Sequence, residues 1–291
     1  MRFQHSSSLL LSILFACGLG LSNGLLAIAP LPAFSQAPAA LLEALPLPQV
    51  HDLPSALAQW QESDNAADYF EAVQPTDLGY LVWSRFPVQI YIEPAIEPAR
   101  EPVRGSGAGT PTSEFEADRA QVWVAAVRQA VQDWSVYLPL EIISSPDGAD
   151  IQVQRRAPPL QTRPESANSN TPAPLPRIRS AETRYQFFVD RPDSSPESLP
   201  YNSNSPAILS HRFIVYLSAN QTAAYTLATA RHELGHALGI WGHSPVETDA
   251  LYFSQVRNPP GISHRDINTL KRIYQQPTRL GWPMPLGNNS K

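Results

Sequence analysis

The sequence predicts an α+β domain: about five short strands, a long helix in the first half, a helix carrying paired histidines, and a helix that closes the fold. Three observations support that class. Five short runs between residues 88 and 218 have strand composition, several of them alternating apolar with polar side chains. Two long stretches, Ser113 to Tyr137 and Thr222 to Leu238, read as helix from apolar spacing or Ala/Leu content. The second of these contains His232-Glu233-Leu234-Gly235-His236, an H-E-x-x-H sequence. Residues four apart share one helix face, so its two imidazoles point the same way.

Residues 1–35 read as an export segment. Arg2 and His5 precede a strongly apolar run from Leu9 to Ala29, and Ala33-Phe34-Ser35 suits cleavage before Gln36. Two other readings stay open. The run is long enough to stay as a membrane anchor despite Gly18, Gly20 and Gly24, and Leu14-Phe15-Ala16-Cys17 approximates a lipoprotein box. All three place the rest of the chain outside the cytoplasm: secreted, periplasmic or tethered to the membrane only through this segment. Cys17 is the single cysteine, so no internal disulfide forms, and the core and a bound metal must supply stability.

Residues 36–77 are expected to be a Pro/Ala-rich linker or a short propeptide. Within them Ser55 to Val73 can form one amphipathic helix, with Leu57, Trp60, Ala67 and Phe70 near one face. The main domain is expected over 78–276. Val88-Gln89-Ile90-Tyr91-Ile92 alternates as a strand, and a Gly-containing loop over Glu97 to Pro111 follows. In the helix from Ser113 to Tyr137, the stripe Val122, Trp123, Ala126, Val127, Ala130, Val131 and Trp134 reads as core rather than as a cofactor surface. Leu140 to Ile143 is a second strand, Ser145-Pro146-Asp147-Gly148 a turn, and Asp150 to Gln154 a third strand. A Pro-rich insertion occupies 155–180. Thr183 to Asp190 and Arg212 to Ser218 are the fourth and fifth strands, with a loop from Arg191 to Pro206 between them. Asn220 or Thr222 caps the histidine helix, and Ser263 caps the last one, whose buried stripe is Ile267, Leu270 and Ile273 or Tyr274. Residues 277–291 read as an irregular tail.

The chemistry concentrates at His232 to His243. Four of the seven histidines lie between His211 and His243, which favours a metal site over a helix that carries two histidines by coincidence. Glu233 stands where it would touch a metal-bound water rather than the metal. Gly239 suits the left-handed backbone that ends a helix, so the chain can turn back and bring His243 to the same ion. Asp249, His264 and Glu247 are the other candidates for the third ligand. His243 is preferred, because Gly239 and Gly242 give the turn freedom to place it.

This stretch resembles the signature H-E-x-x-H-x-x-G-x-x-H of the metzincin zinc peptidases, and within them the matrixin-like, bacterial secreted type. Two departures stand out: Gly242 occupies the place of the third histidine, with His243 one residue later, and Leu251-Tyr252 stands where matrixins have a methionine before tyrosine. The order of strand, long helix and two further strands ahead of the motif also resembles that group. The resemblance implies a metzincin-like domain with a twisted mixed sheet. It implies one catalytic Zn2+ held by His232, His236 and His243, with Glu233 as general base on a zinc-bound water. It makes Thr183 to Asp190 the antiparallel edge strand against which an extended peptide pairs. Tyr252 and Phe253 either line the pocket for the residue after the cleaved bond or pack in the core. His264 is expected on the surface of the last helix. The methionine-to-leucine change keeps apolar volume. Matrixin latency through a propeptide cysteine has no counterpart, since Cys17 lies in the export segment. Nothing in the sequence supports a Ca2+ site or a second zinc.

The implied function is a zinc-dependent endopeptidase of extracytoplasmic proteins, with a protein or peptide as partner and a monomer as the expected state. The alternatives are an inactive zinc-binding interaction domain of the same fold, or an H-E-x-x-H peptidase of another clan with Asp249 or Glu247 as acidic ligand. A net charge of −5 gives no support to a nucleic-acid partner.

Overall fold

The computed structural model describes residues 45–62, 65–95, 114–159, 179–190 and 206–285. The export segment with Cys17, most of the Pro-rich insertion, the loop over 191–205 and the final residues 286–291 lie outside them.

The strands expected from period-two patterning are β1 (Val88–Ile92), β2 (Leu140–Ile143), β3 (Ile151–Gln154), β4 (Ala181–Asp190) and β5 (Ile208–Leu217). They form one mixed sheet in the order β2-β1-β3-β5-β4. All neighbours are parallel except β4, which runs antiparallel to β5 over ten residue pairs at the edge. The alternation on β1 shows how sequence makes the sheet two-faced. Val88, Ile90 and Ile92 are buried beneath the helices, while Gln89 and Tyr91 turn to the other face and are half-buried. β4 and β5 begin earlier than expected, at Ala181 and Ile208 rather than Thr183 and Arg212. Each extends the other's ladder, and Leu209 also pairs with Gly281 and Trp282.

On the core face lie α2 (Glu114–Ser135) and α3 (Ala223–Ala237), while α4 (His264–Tyr274) packs against a 3-10 turn at Phe70–Ala72; a one-turn helix, α1 (Ser55–Gln59), precedes the sheet. The α2 stripe is Trp123, Val127, Ala130, Val131 and Trp134, all buried. Val122, expected in that stripe, is 48 % exposed, because it lies about 100° around the helix from Trp123. Thr222 caps α3 by accepting from the Tyr225 amide, and Ser263 and Asp266 form a reciprocal capping box on α4. Trp134 crosses from α2 to α3 and donates its indole N–H to Arg231 O at 2.9 Å.

Residues 55–73 are not one helix. α1 stops at Gln59, and among the described residues of this stretch only a single 3-10 turn, Phe70–Ala72, follows. Asn65 and Ala67 take φ of 50° and 61°, left-handed values that no right-handed helix accommodates. The tertiary contacts of this stretch replace the helix. Tyr69 OH donates to Asp266 at 2.6 Å, Trp60 Nε1 donates to Asn268 at 2.9 Å, and Asp68 accepts from the Phe70 amide and pairs with Arg272.

The packed unit therefore extends past the expected 78–276 at both ends. Leu57, Tyr69 and Val73 lie in the core, as do Thr278 and Leu280 of the expected tail. Gln49 and Thr278 exchange backbone hydrogen bonds at 2.9 and 3.0 Å, and His51 stacks on Trp282 with ring centroids 4.2 Å apart. Among the described residues no helix is long and apolar enough to cross a membrane.

Candidate metal centre

α3 packs beside α2, over β4 and β5 of the sheet, and its last two turns carry His232, Glu233 and His236, all buried. Two features let this helix sit so deep. At Gly235 a Cβ would come within 2.6 Å of Leu251 Cδ2 and 3.1 Å of Trp134 Cζ2, so only glycine lets Leu251 close under the histidine turn. Gly239 then takes φ 127° and ends the helix, and its backbone passes so near Leu81 O that a Cβ would lie 2.7 Å from it.

The chain turns back through Ile240 and Trp241 and brings His243 to the helix. The ligand nitrogens of His232, His236 and His243 lie within 4.8 Å of one another. Among the described residues this is the one group of three or more such side chains that converges. Asp249, Glu247 and His264 do not join it. Asp249 is buried but accepts from Ser244 Oγ and from Arg265 Nε, Glu247 is exposed, and His264 is half-buried with its ring against Trp60.

The hydrogen bonds fix how two of the rings are used. His232 Nδ1 lies 2.9 Å from Ala250 O, and His236 Nδ1 lies 2.7 Å from Ile240 O. A carbonyl oxygen only accepts, so each Nδ1 carries the proton and each Nε2 carries a lone pair. Those two Nε2 atoms face each other at 3.0 Å with no proton to share. Such an arrangement is repulsive unless a cation sits between them. Two imidazoles on one ion at the usual ~2.0–2.1 Å, in tetrahedral geometry, stand about 3.3 Å apart. The donor set therefore fits a metal ion, with the carbonyls of Ala250 and Ile240 as the outer support that orients the rings.

Burial keeps the ligands neutral. It depresses His232 to about 3, with the neighbouring His243 adding to the effect, depresses His236 well below its ordinary value, and depresses His243 to about 4. Neutral imidazole is the ligating form. Glu233 is 1 % exposed and lies outside the converging group. Burial raises it to about 8, against the hydrogen bond from Thr183 Oγ1, which reaches Glu233 Oε2 at 2.6 Å.

The loop after His243 forms the floor. Leu251 is fully buried and packs against Gly235. Tyr252 pairs with Ser244 in a parallel bridge and lines a small cavity of about 40 Å³ with His232, Tyr225, Thr229 and Val256. Phe253 lies outside that cavity and is 49 % exposed, with its ring against Tyr252. Asp266 holds this loop from α4, accepting from the Ala250 amide at 2.9 Å and from Leu251 at 3.4 Å.

Sequence reading missed Thr183, the carbonyls of Ala250 and Ile240, and Asp266 as a partner of the loop. A threonine in a strand and an aspartate in a capping position carry no signal for such contacts. No family model matches the chain, and no curated protein matches it in sequence.

Proposed function

We propose that the chain is an exported zinc-dependent endopeptidase that hydrolyses peptide bonds of extracytoplasmic proteins, with a metzincin-like, matrixin-type catalytic domain. The observation that carries this reading is the pair of unprotonated Nε2 atoms at 3.0 Å, joined by His243 and flanked by the buried carboxylate of Glu233. The resemblance of His232 to Tyr252 to the metzincin signature supports it further.

His232, His236 and His243 would hold the ion. Zinc bound there supplies Lewis acidity, which polarises a carbonyl and makes water acidic enough to react at neutral pH. Among the described residues the Glu233 carboxylate is held from β4, by Thr183. In the proposed reaction Glu233 takes the proton of the attacking water as general base. It then passes that proton to the nitrogen of the departing amine as the C–N bond breaks. β4 forms the outer edge of the sheet beside α3, and an extended peptide adding to that edge lies across the face that carries the histidines. Tyr252 lines the small cavity beside His232 and would contact the residue after the scissile bond.

The test is cleavage of an unstructured protein such as casein by the parent and by Glu233→Ala, with metal identity and content measured on both. The full chain is needed, because residues 45–77 contribute Leu57, Tyr69 and Val73 to the core. Chelator-sensitive cleavage by the parent, with at least a ~1,000-fold loss in the variant at equal zinc, is the expected result. Equal zinc with no cleavage by either would instead assign the chain to inactive zinc-binding domains.

A further inference from the structure

We propose that Thr183 is a positioning residue for Glu233, and that it couples the peptide-binding edge of the sheet to the general base. The proposal rests on the peptidase reading above.

Two features of Thr183 support it. The first is its side chain. Thr183 is fully buried, and its Oγ1 lies 2.6 Å from Glu233 Oε2 and 3.1 Å from Glu233 O. A hydroxyl has one proton to give. The shorter contact, to the carboxylate, is the one a charge-assisted bond would make. With Oε2 held, the carboxylate plane is fixed and Oε1 is left as the oxygen that meets a proton.

The second feature is the direction of its backbone. In an antiparallel ladder the residues of a strand alternate between bonding to the neighbour and facing away. Ser218 N–H donates to Ser180 O at 2.9 Å, and Ala181 stands opposite Leu217. Residues 180, 182 and 184 therefore carry the bonds to β5. Thr183 turns its N–H and C=O to the outer edge, where no strand of the described residues pairs; its N–H meets the Glu233 carboxylate there, and its C=O is the group left for an added strand. A peptide that adds to this edge bonds, through the C=O of Thr183, to the same residue whose hydroxyl and N–H hold Glu233. Movement of that residue would carry the peptide backbone and the base together, so the scissile bond and Glu233 stay in register. Thr183 is the third residue of β4, and Tyr185, on the same face, packs against Trp241 beside His236. The edge is thus seated on α3 and the turn after it at Thr183 and Tyr185, and Thr183 is its polar contact with Glu233.

The experiment compares full-length parent, Thr183→Val, Thr183→Ser and Glu233→Ala, each loaded with zinc, on fluorescently labelled casein. Valine keeps the shape of threonine and removes the hydroxyl; serine keeps the hydroxyl. Zinc content and melting temperature are measured on every protein. Expected for Thr183→Val are parental zinc content, little change in KM, and a kcat lower by about 10- to 100-fold, as for loss of one charge-assisted bond that orients a reacting group. Thr183→Ser should recover most of that loss. A valine variant with parental kcat overturns the proposal, as does a loss that follows zinc content or melting temperature, or a serine variant no better than valine. If Glu233→Ala is inactive while Thr183→Val matches the parent, only the role of Thr183 fails. If the zinc-loaded parent does not cleave, the peptidase reading fails and this proposal with it.

Discussion

Individual side chains in this molecule are pulled between burial and charge, and His211 shows the conflict outside the metal centre. It stacks on Trp83 with ring centroids 4.0 Å apart, and its Nε2 is buried with no partner. Burial depresses it to about 3. The unfolded chain binds that proton near pH 6.5, whereas the folded chain does not until about 3, so stability is lost as pH falls through that window. For His211→Phe with zinc present, the drop in unfolding free energy between pH 7.5 and 5 should shrink by about 2 kcal/mol. Urea unfolding at both pH values checks this; an unchanged drop would mean that His211 is protonated in the fold. At this scale the sequence was readable where chemistry is written in residue type and spacing. His232, Glu233 and His236 announce themselves by a four-residue helical interval. Thr183 does not, because its meaning depends on a strand that reaches Glu233 from fifty residues away.

The connection between α3 and His243 shows what an element owes to its neighbours. Gly242 is buried against the 3-10 turn, and a Cβ there would lie 2.3 Å from Ala72 O and 2.9 Å from Val73 Cα. Gln74 N–H also donates to Trp241 O at 3.0 Å. With 242 pressed against this segment, the next residue, His243, is the one that turns toward His232 and His236. That is the physical sense of the one-residue displacement seen in the sequence. Gly242→Ala should cost about 1–3 kcal/mol and weaken zinc binding, because Ala72 is backbone and cannot swing away. A variant with parental melting temperature and zinc affinity would refute the packing argument. The five strands and the three long helices were legible in place and type, since two-fold and 3.6-fold periods are local, while the starts of β4 and β5 were set by each other and lay two and four residues earlier than expected. The stretch 55–73 was not. Its apolar spacing fits a helix, but Asp68, Tyr69 and Trp60 are held by residues of α4 some 200 positions later, and those bonds select the extended, left-handed path.

Over the whole molecule, the two ends of the described chain close on each other and then on the metal centre. Gln49 pairs with Thr278, and His51 stacks on Trp282. A chain of contacts runs inward from there: Tyr69 to Asp266, Asp266 to the Ala250 amide, and Ala250 O to His232 Nδ1. The segment that reads as a linker thus braces the loop that orients a ligand. Composition alone conceals this, because proline and alanine content marks how a segment is built and not what it touches. The most direct test of the three-histidine centre is zinc stoichiometry and affinity of the full chain beside His243→Ala. We expect one zinc per parent chain and an affinity at least ~100-fold weaker in the variant, since only two protein ligands would be left. A parent that takes up no zinc, or a His243→Ala variant that binds it as tightly, would contradict the assignment.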